Sequence, residues 1–449
     1  MSADRSSAHT RPDSLFGALV AFEGIQGATA IVNAPTGCKF GVSYLVDQQD
    51  PRDSSGDPLE HEEEFFFGQR RIPCTYLDEM DYVKGSAPKL TKLLQRLEQK
   101  GAQLIGIVNG PGTSLIGDDL RAIANASGVH IPTVGIETAG INGSASLGFS
   151  EAMTRILDVL GKNEEKTRQP QKSVAICGLS LLSLRWADNL RQLREELALG
   201  GLTSVINVGA GATLEELAAA RSAQVIVCVD EAFGWDVAQK LALGRTCKLL
   251  PNTLLAPVGL QASEQWLSAV IQAAGGDIEP VRRRVESVRG TLYSALSRFN
   301  TRTALPKGLA YVIAADACIA APLLLFLTDY LGMLPVGILL RERAPEAERF
   351  IKAFMQTRSL SFEILCDGSP LDEAEWINRL QPEIVFGSSY DRAIATQQLK
   401  RNLPFVPVAY PHLGHIHLTL RPLTGLGGTL VLCEDILNAL HSLTRTAMV

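Results

Sequence analysis

Two cysteines set in turns are the residues of this 449-residue chain best placed for chemistry. Cys38 closes Val32-Asn33-Ala34-Pro35-Thr36-Gly37-Cys38, where an apolar run ends, Pro and Gly turn the chain, and the thiol arrives near an expected helix start. A helix N-terminus favours anions, and so a thiolate. Cys74 follows the turn-forming Pro73 in Arg71-Ile72-Pro73-Cys74-Thr75-Tyr76. Neither has a Cys-x-x-Cys partner, so spacing admits both a pair of metal ligands and two buried inert thiols. A third turn, Asn109-Gly110-Pro111-Gly112, leads through Thr113-Ser114-Leu115-Ile116-Gly117 to Asp118-Asp119-Leu120 and a helix. It is no Walker A loop, because no Gly-Lys-Ser/Thr follows. Gly209-x-Gly211 lacks the closing glycine of a dinucleotide fingerprint and reads as a helix-start turn. Cys228 ends the run Val225-Ile226-Val227-Cys228 and is expected to face a cleft. His412, His415 and His417 crowd into seven residues, and alternation along an extended segment puts His415 and His417 on one face. Cys177 is a weaker cleft candidate. Cys247, Cys318, Cys366 and Cys433 lie in apolar or helical surroundings and read as core thiols.

The elements that must position these groups repeat one theme. A short β-branched run ends in Gly, Pro, Asn or Asp, and a helix-patterned segment follows. Thr29–Asn33, Leu104–Asn109, Ser173–Gly178, Ser204–Val208, Gln224–Val229, Leu309–Ala314 and Glu383–Phe386 are such runs. Apolar strands alternating with helices form parallel sheets covered on both faces. At ~150 residues per domain the length suggests three, and three blocks emerge: 1–168, 169–304 with a helical connector near Ser263–Arg302, and 305–449. A last helix, Leu432–Thr444, is placed to pack back on an earlier block. In doubly wound sheets ligands bind beyond the carboxyl ends of strands, so the residues after each strand are the ones to inspect.

Composition narrows the function. Charged residues are 20 % and AVILMFWYC residues 46 %, the profile of a folded protein. With 42 Lys+Arg against 48 Asp+Glu the net charge is −6, so no global footprint for nucleic acid exists. The polar start, Met1–Asp13, has no apolar signal core, and the most apolar stretch, Ala317–Leu340, is broken by Pro322, Asp329 and Pro335. These features lead to the expectation of a cytoplasmic protein with no membrane span. Glu60–Glu64 and Phe65-Phe66-Phe67 read as an interface loop. Arg282-Arg283-Arg284 reads as an exposed helix face.

The order of the motifs carries a resemblance. A strand ending in Pro-x-Gly-Cys (Pro35–Cys38), a second cysteine (Cys74), Asp-x-x-x-Gly (Asp81–Gly85) and Leu-Ile-Gly-Asp-Asp-Leu (Leu115–Leu120) together resemble the nitrogenase component 1 family. Gly211–Leu217, Phe386–Tyr390 and the segment from Pro411 through Arg421 to Gly428 extend the likeness over nearly the whole chain. The resemblance implies three doubly wound, Rossmann-like α/β domains around a central cleft. It implies an interfacial iron–sulfur cluster held by cysteines of two subunits, with Cys38 and Cys74 at the first two positions. Where catalytic nitrogenase subunits carry a third cysteine, this chain has Gly110-Pro111-Gly112. Two cysteines from each of two chains suit one [4Fe–4S] cluster. Cys228 and either His415 or His417 fall near the positions that hold nitrogenase's active-site metallocluster, while the tetrapyrrole reductases of the family bind substrate in the same cleft without such ligands. The implied partners are an identical or paralogous chain and an ATP-hydrolysing iron–sulfur reductase that passes single electrons. The implied function is that of an oxidoreductase subunit acting on a small molecule or metallocofactor. A cofactor-assembly scaffold and a non-redox ligand-binding protein are the competing readings.

Overall fold

A computed structural model of the chain describes residues 12–39, 72–137, 143–161, 172–366, 368–412 and 417–446. The acidic run, the three phenylalanines and His415 lie outside the described residues.

Among the described residues, apolar runs form twelve strands in three sheets. The first holds β1 (Ala28–Asn33), β2 (Leu104–Asn109) and β3 (Thr133–Ile136), in that order. The second holds β4 (Ser173–Cys177), β5 (Ser204–Val208), β6 (Val225–Cys228) and β7 (Lys248–Leu249), in the order β5-β4-β6-β7. The third holds β8 (Ala310–Ala315), β9 (Leu334–Leu340), β10 (Glu363–Cys366), β11 (Ile384–Gly387) and β12 (Phe405–Pro407), in the order β10-β9-β8-β11-β12. Every neighbouring pair is parallel. β1, β2, β4 and β6 are almost wholly buried, as strands covered on both faces must be.

Two strand orders reverse direction. In the second sheet the chain runs from β4 out to β5, then returns to the other side of β4 for β6. In the third it runs β8, β9, β10, then returns beside β8 for β11. The gaps beyond the carboxyl ends of β4/β6 and β8/β11 are therefore topological switch points, where the helices diverge and leave a crevice.

Helix packing joins the sheets. Every residue of helix Ser14–Glu23 is buried, and it lies flat on helix Ala145–Leu160. A Cβ added at Gly17 would stand 1.8 Å from the Ala145 carbonyl oxygen, and one at Gly148 1.9 Å from that of Ser14. Only glycine permits this approach. The connector is two helices, Leu260–Ala273 and Glu279–Thr303, and Arg282, Arg283 and Arg284 are exposed on the second. The last helix is longer than the sequence suggests, Gly425–Thr446. It packs back on that connector and on helix Trp186–Leu199. Its buried start is held by Glu196, whose carboxylate accepts the Leu426 N–H (2.9 Å) and the Gly427 N–H (3.0 Å). The apolar stretch from Ala317 does not continue as one element. It is a helix to Leu325, a π turn to Tyr330 and then β9. No helix among the described residues is long and apolar enough to cross a membrane.

Candidate functional site

The first candidate site is built at the carboxyl ends of β1 and β2. Residues 36–39 are helical, so Cys38 follows β1 by one tight turn, and its N–H donates to the Pro35 carbonyl (3.2 Å). Cys74 returns to the same strand end: it forms a parallel bridge with Val32, and the Thr75 N–H donates to the Val32 carbonyl (3.1 Å). Both thiols thus belong to one strand end although 36 positions separate them in sequence.

A buried polar lattice fixes the two turns. Asn33, the last residue of β1, donates through Nδ2 to Asn109 Oδ1 (2.8 Å) and Ser86 Oγ (3.1 Å). Its Oδ1 accepts from Thr75 Oγ1 (3.0 Å), and Thr75 Oγ1 in turn accepts the Ala34 N–H (3.0 Å). Asp118 Oδ2 accepts both the Ser86 N–H (2.6 Å) and Oγ–H (2.7 Å), supplying the cap that Ser86 itself does not give helix Ala87–Gln99. Asp119 caps helix Leu120–Ala126 through the Ala122 N–H (2.9 Å). The Asp118-Asp119 pair thus serves the architecture around the cysteines.

The thiols differ in exposure. Cys74 is 2 % exposed and Cys38 is half-buried. Cys74 Sγ donates to the Ala34 carbonyl (3.2 Å) and accepts the Tyr76 N–H (3.4 Å). Burial above all pushes the Cys74 thiol up to about 11, with Cys38 adding to the rise and Lys39 opposing it. Burial, then Asp13, also raises Cys38. With no metal bound both are protonated; ligation to iron removes the proton outright. A Cβ placed on Gly110 would stand 3.5 Å from Cys38 Sγ. The Gly-Pro-Gly turn therefore lies against the thiol, and its glycine leaves that flank of Cys38 without a side chain. Exposed apolar residues follow the second and third turns in the chain: Met80 (56 % exposed), Val83 (82 %) and Leu115 (82 %), with Tyr82 beside Gly112. Among the described residues no three His, Cys, Asp or Glu side chains converge as a metal site. Two thiols are half the donor number of a four-cysteine cubane.

The second candidate site is a cavity of ≈ 180 Å³ at the two switch points. Leu182 and Phe233 reach it from beyond β4 and β6. Asp316, Arg341, Glu342 and Tyr390 reach it from beyond β8, β9 and β11, and Ser144 and Ala145 close it from the helix beside the first sheet. Glu342 accepts the Ala145 N–H (3.1 Å) and the Ser146 Oγ–H (2.7 Å). Burial raises Glu342, against those bonds. Arg341 is paired with Asp391 and with Glu373 (3.3 Å). Burial, then the carboxylates of Asp230 and Glu342, push Asp316 up to about 8. Burial also lifts Asp230, the cap of helix Glu231–Ala242, to about 6.

The structure brings Cys38 and Cys74 together but does not bring Cys228 to His417. Cys228 sits at the end of β6 opposite Cys177 and is raised chiefly by burial. It lines a separate cavity of ≈ 20 Å³ with Glu231, Asn252 and Cys318, and no described histidine lines that space. Cys318, Glu346 and Ala347, which follow β8 and β9, line that space with it, so Cys228 faces a gap between the second and third sheets, apart from the main cavity. His417 is exposed, stacks on His412 at 5.3 Å between centroids and lies 3.5 Å from Arg185 Nη2. Cys318 and Cys433 are buried, as core thiols should be, whereas Cys247 and Cys366 are half-buried. Sequence reasoning missed Asp316, Arg341 and Glu342. The signal was available: each is a charged residue within two positions of the end of an apolar strand.

Three parallel sheets, a thiol pair beyond the first and a charged cavity at the switch points of the other two define a particular class of α/β protein. A profile of the nitrogenase component 1 type oxidoreductases matches residues 14–441, and the chain belongs to that family. Proteins of this family bind iron–sulfur clusters. The light-independent protochlorophyllide reductase of Methylobacterium sp. (strain 4-46) has a subunit that is 26 % identical over 328 residues, 73 % of this chain. The chain spans only 62 % of that relative's length. The same subunit from Bradyrhizobium sp. (strain ORS 278) is 25 % identical over 379 residues, covering 81 % of this chain and 70 % of the relative. A solved structure titled "Nitrogenase Cp1 at pH 6.5" superposes with a TM-score of 0.80 over 97 % of this chain and 93 % of its own, at 16 % identity, a likeness of fold.

Proposed function

We propose that this chain is the substrate-reducing subunit of a nitrogenase-like reductase, with Cys38 and Cys74 supplying half the ligands of a [4Fe–4S] cluster shared with a second, identical or paralogous chain. The observation that carries the reading is the return of Cys74 to the end of β1, which sets two thiols of distant sequence at one strand end, and the segments that follow carry the exposed apolar side chains of Met80, Val83 and Leu115. Exposed apolar area of that kind marks an interface. When bound, the cluster supplies single low-potential electrons at that face. The chain's own part is to present two thiolates, to donate the Tyr76 N–H to one of them, and to hold both turns through Asn33. The electron source is a separate ATP-hydrolysing iron–sulfur protein, since this chain has no Walker A loop. The reduced molecule occupies the cavity at the switch points; for the relatives named above that molecule is protochlorophyllide. The three blocks, 1–168, 169–304 and 305–449, act as three domains around it.

Iron and sulfide per chain on anaerobically purified protein, with an electron paramagnetic resonance spectrum after reduction, test the reading. Four irons per two chains with a cubane signal are expected, lost in Cys38→Ala. Protein that takes up no iron on anaerobic reconstitution, or a Cys38→Ala spectrum equal to wild type, refutes it.

A further inference from the structure

Arg341 stands in the wall of the main cavity with hydrogen-bonding capacity that no described residue uses. We propose that Arg341 determines what this cavity accepts: its guanidinium anchors a carbonyl-type oxygen of an uncharged small molecule. This rests on the redox reading for one point only, that the molecule to be reduced sits in this cavity.

Three elements fix the guanidinium. Arg341 is the residue after β9, and its N–H donates to the Ala315 carbonyl at the end of β8 (3.2 Å), so the side chain leaves from the rim of the sheet. Glu373 comes from the first turn of helix Pro370–Leu380 and is buried. Asp391, also buried, comes from the turn after β11. Its Oδ2 accepts the Ser388 N–H (2.5 Å) and Oγ–H (2.7 Å), which leaves Oδ1 to Arg341. A side chain held this way keeps one orientation, as an anchoring group must.

Only part of that fork is used. Among the described residues the guanidinium donates through Nη2 alone, to Asp391 and to Glu373 Oε2 (3.3 Å). Its Nε is buried with no hydrogen-bond partner among them. Nη1 and Nε carry the remaining N–H groups. A buried donor left unsatisfied costs free energy, and an acceptor atom in the cavity removes that cost. The water-poor surroundings strengthen the bond so formed.

Charge selects the kind of acceptor. Burial opposes the charge on Arg341, but Asp391 and Glu373 outweigh it and hold the guanidinium protonated. The cation is therefore already answered by two carboxylates. Asp316 faces it as well, with Asp230 and Glu342 beside Asp316. A ligand carboxylate brought to Arg341 meets this excess of acids, whereas a neutral oxygen meets the N–H groups alone. Leu182, Phe233 and Ile394 supply apolar wall. An apolar or aromatic body bearing one carbonyl oxygen fits both parts.

The test titrates full-length wild type and Arg341→Lys with acetophenone and with benzoate, which share a ring and differ in the charge of the acceptor. Lysine keeps a positive charge toward Asp391 and loses the planar fork. Affinities are read by ligand-detected NMR. We expect wild type to bind acetophenone at least ~10-fold more tightly than benzoate. We expect Arg341→Lys to lose ~10-fold for acetophenone, the scale of one hydrogen bond to a charged group, with iron per chain unchanged. In infrared spectra the carbonyl stretch of acetophenone bound to wild type should lie below its value in apolar solvent and return toward it in Arg341→Lys. Benzoate binding as tightly as acetophenone, no acetophenone binding to wild type, or wild-type affinity in Arg341→Lys overturns the proposal. So does an unshifted carbonyl band in wild type, a result that decides alone should the variant fail to fold. Wild-type protein without iron refutes the redox reading instead, and the probe titrations still decide the role of Arg341.

Discussion

Replacing Asn33 by Ala should loosen both cysteine turns at once, and the structure sets the size of the effect. Asn33 makes three side-chain hydrogen bonds, to Asn109, Ser86 and Thr75, all in surroundings shut off from water. Each is worth about 1 kcal/mol net, so the loss is about 3 kcal/mol, and somewhat more if water cannot reach the abandoned groups. At 1.4 kcal/mol per tenfold, this is roughly a 150-fold increase in the opening of this corner of the first sheet. A chain of three sheets need not unfold in one step, so the measurement should be local. Hydrogen–deuterium exchange of peptides covering 28–39 and 72–78 reads it directly, with peptides from the third sheet as the internal control. Faster exchange at both cysteine turns, an unchanged third sheet and lower iron retention after reconstitution are the expected results. Exchange within about threefold of wild type at both turns would refute the argument that Asn33 ties them together.

Other perturbations follow from the same geometry. Cys74→Ala should lower iron per chain as Cys38→Ala does, whereas Cys433→Ala, in a buried helix face, should leave the metal content unchanged. Val83→Glu or Leu115→Glu places a charge in the exposed apolar patch and should shift the chain toward monomer in sedimentation equilibrium, with the fold intact by circular dichroism. Arg341→Met strands two buried carboxylates, and breaking a buried pair in this way costs about 3–5 kcal/mol, read as a lower unfolding midpoint in urea. The pH dependence of stability has a definite sign. Asp316 and Asp230 have folded values of about 8 and about 6, above the ordinary carboxyl value, so the native state binds more protons than the unfolded one between about pH 4 and 8. Their contribution to stability is full below pH 4 and is lost as pH rises through that window. Thermal unfolding of Asp316→Asn should therefore show a flatter decline from pH 5 to 8 than wild type, and parallel curves would contradict the assignment.

The strands were legible in the chain because each is buried on both faces and so is written as an uninterrupted apolar run. Leu104–Asn109 needs no tertiary context to be recognised, and neither does the turn that carries Cys38. The order of motifs also sufficed to name the family. What linear pattern could not supply was convergence. Cys74 reaches the end of β1 through a bridge to Val32, a contact invisible at a separation of 42 positions. Asp118 was visible as part of a motif, but its task of capping Ser86 arises only when two helices meet. Cys228 ends a strand as a cleft residue would, but only the fold shows that it lines a small space shared with Cys318 while Phe233 lines the larger cavity. Asp316, Arg341 and Glu342 are ordinary as letters. They become one acidic, water-poor pocket because two sheets reverse their strand order and face each other, and burial next to like charge is a property of that arrangement alone.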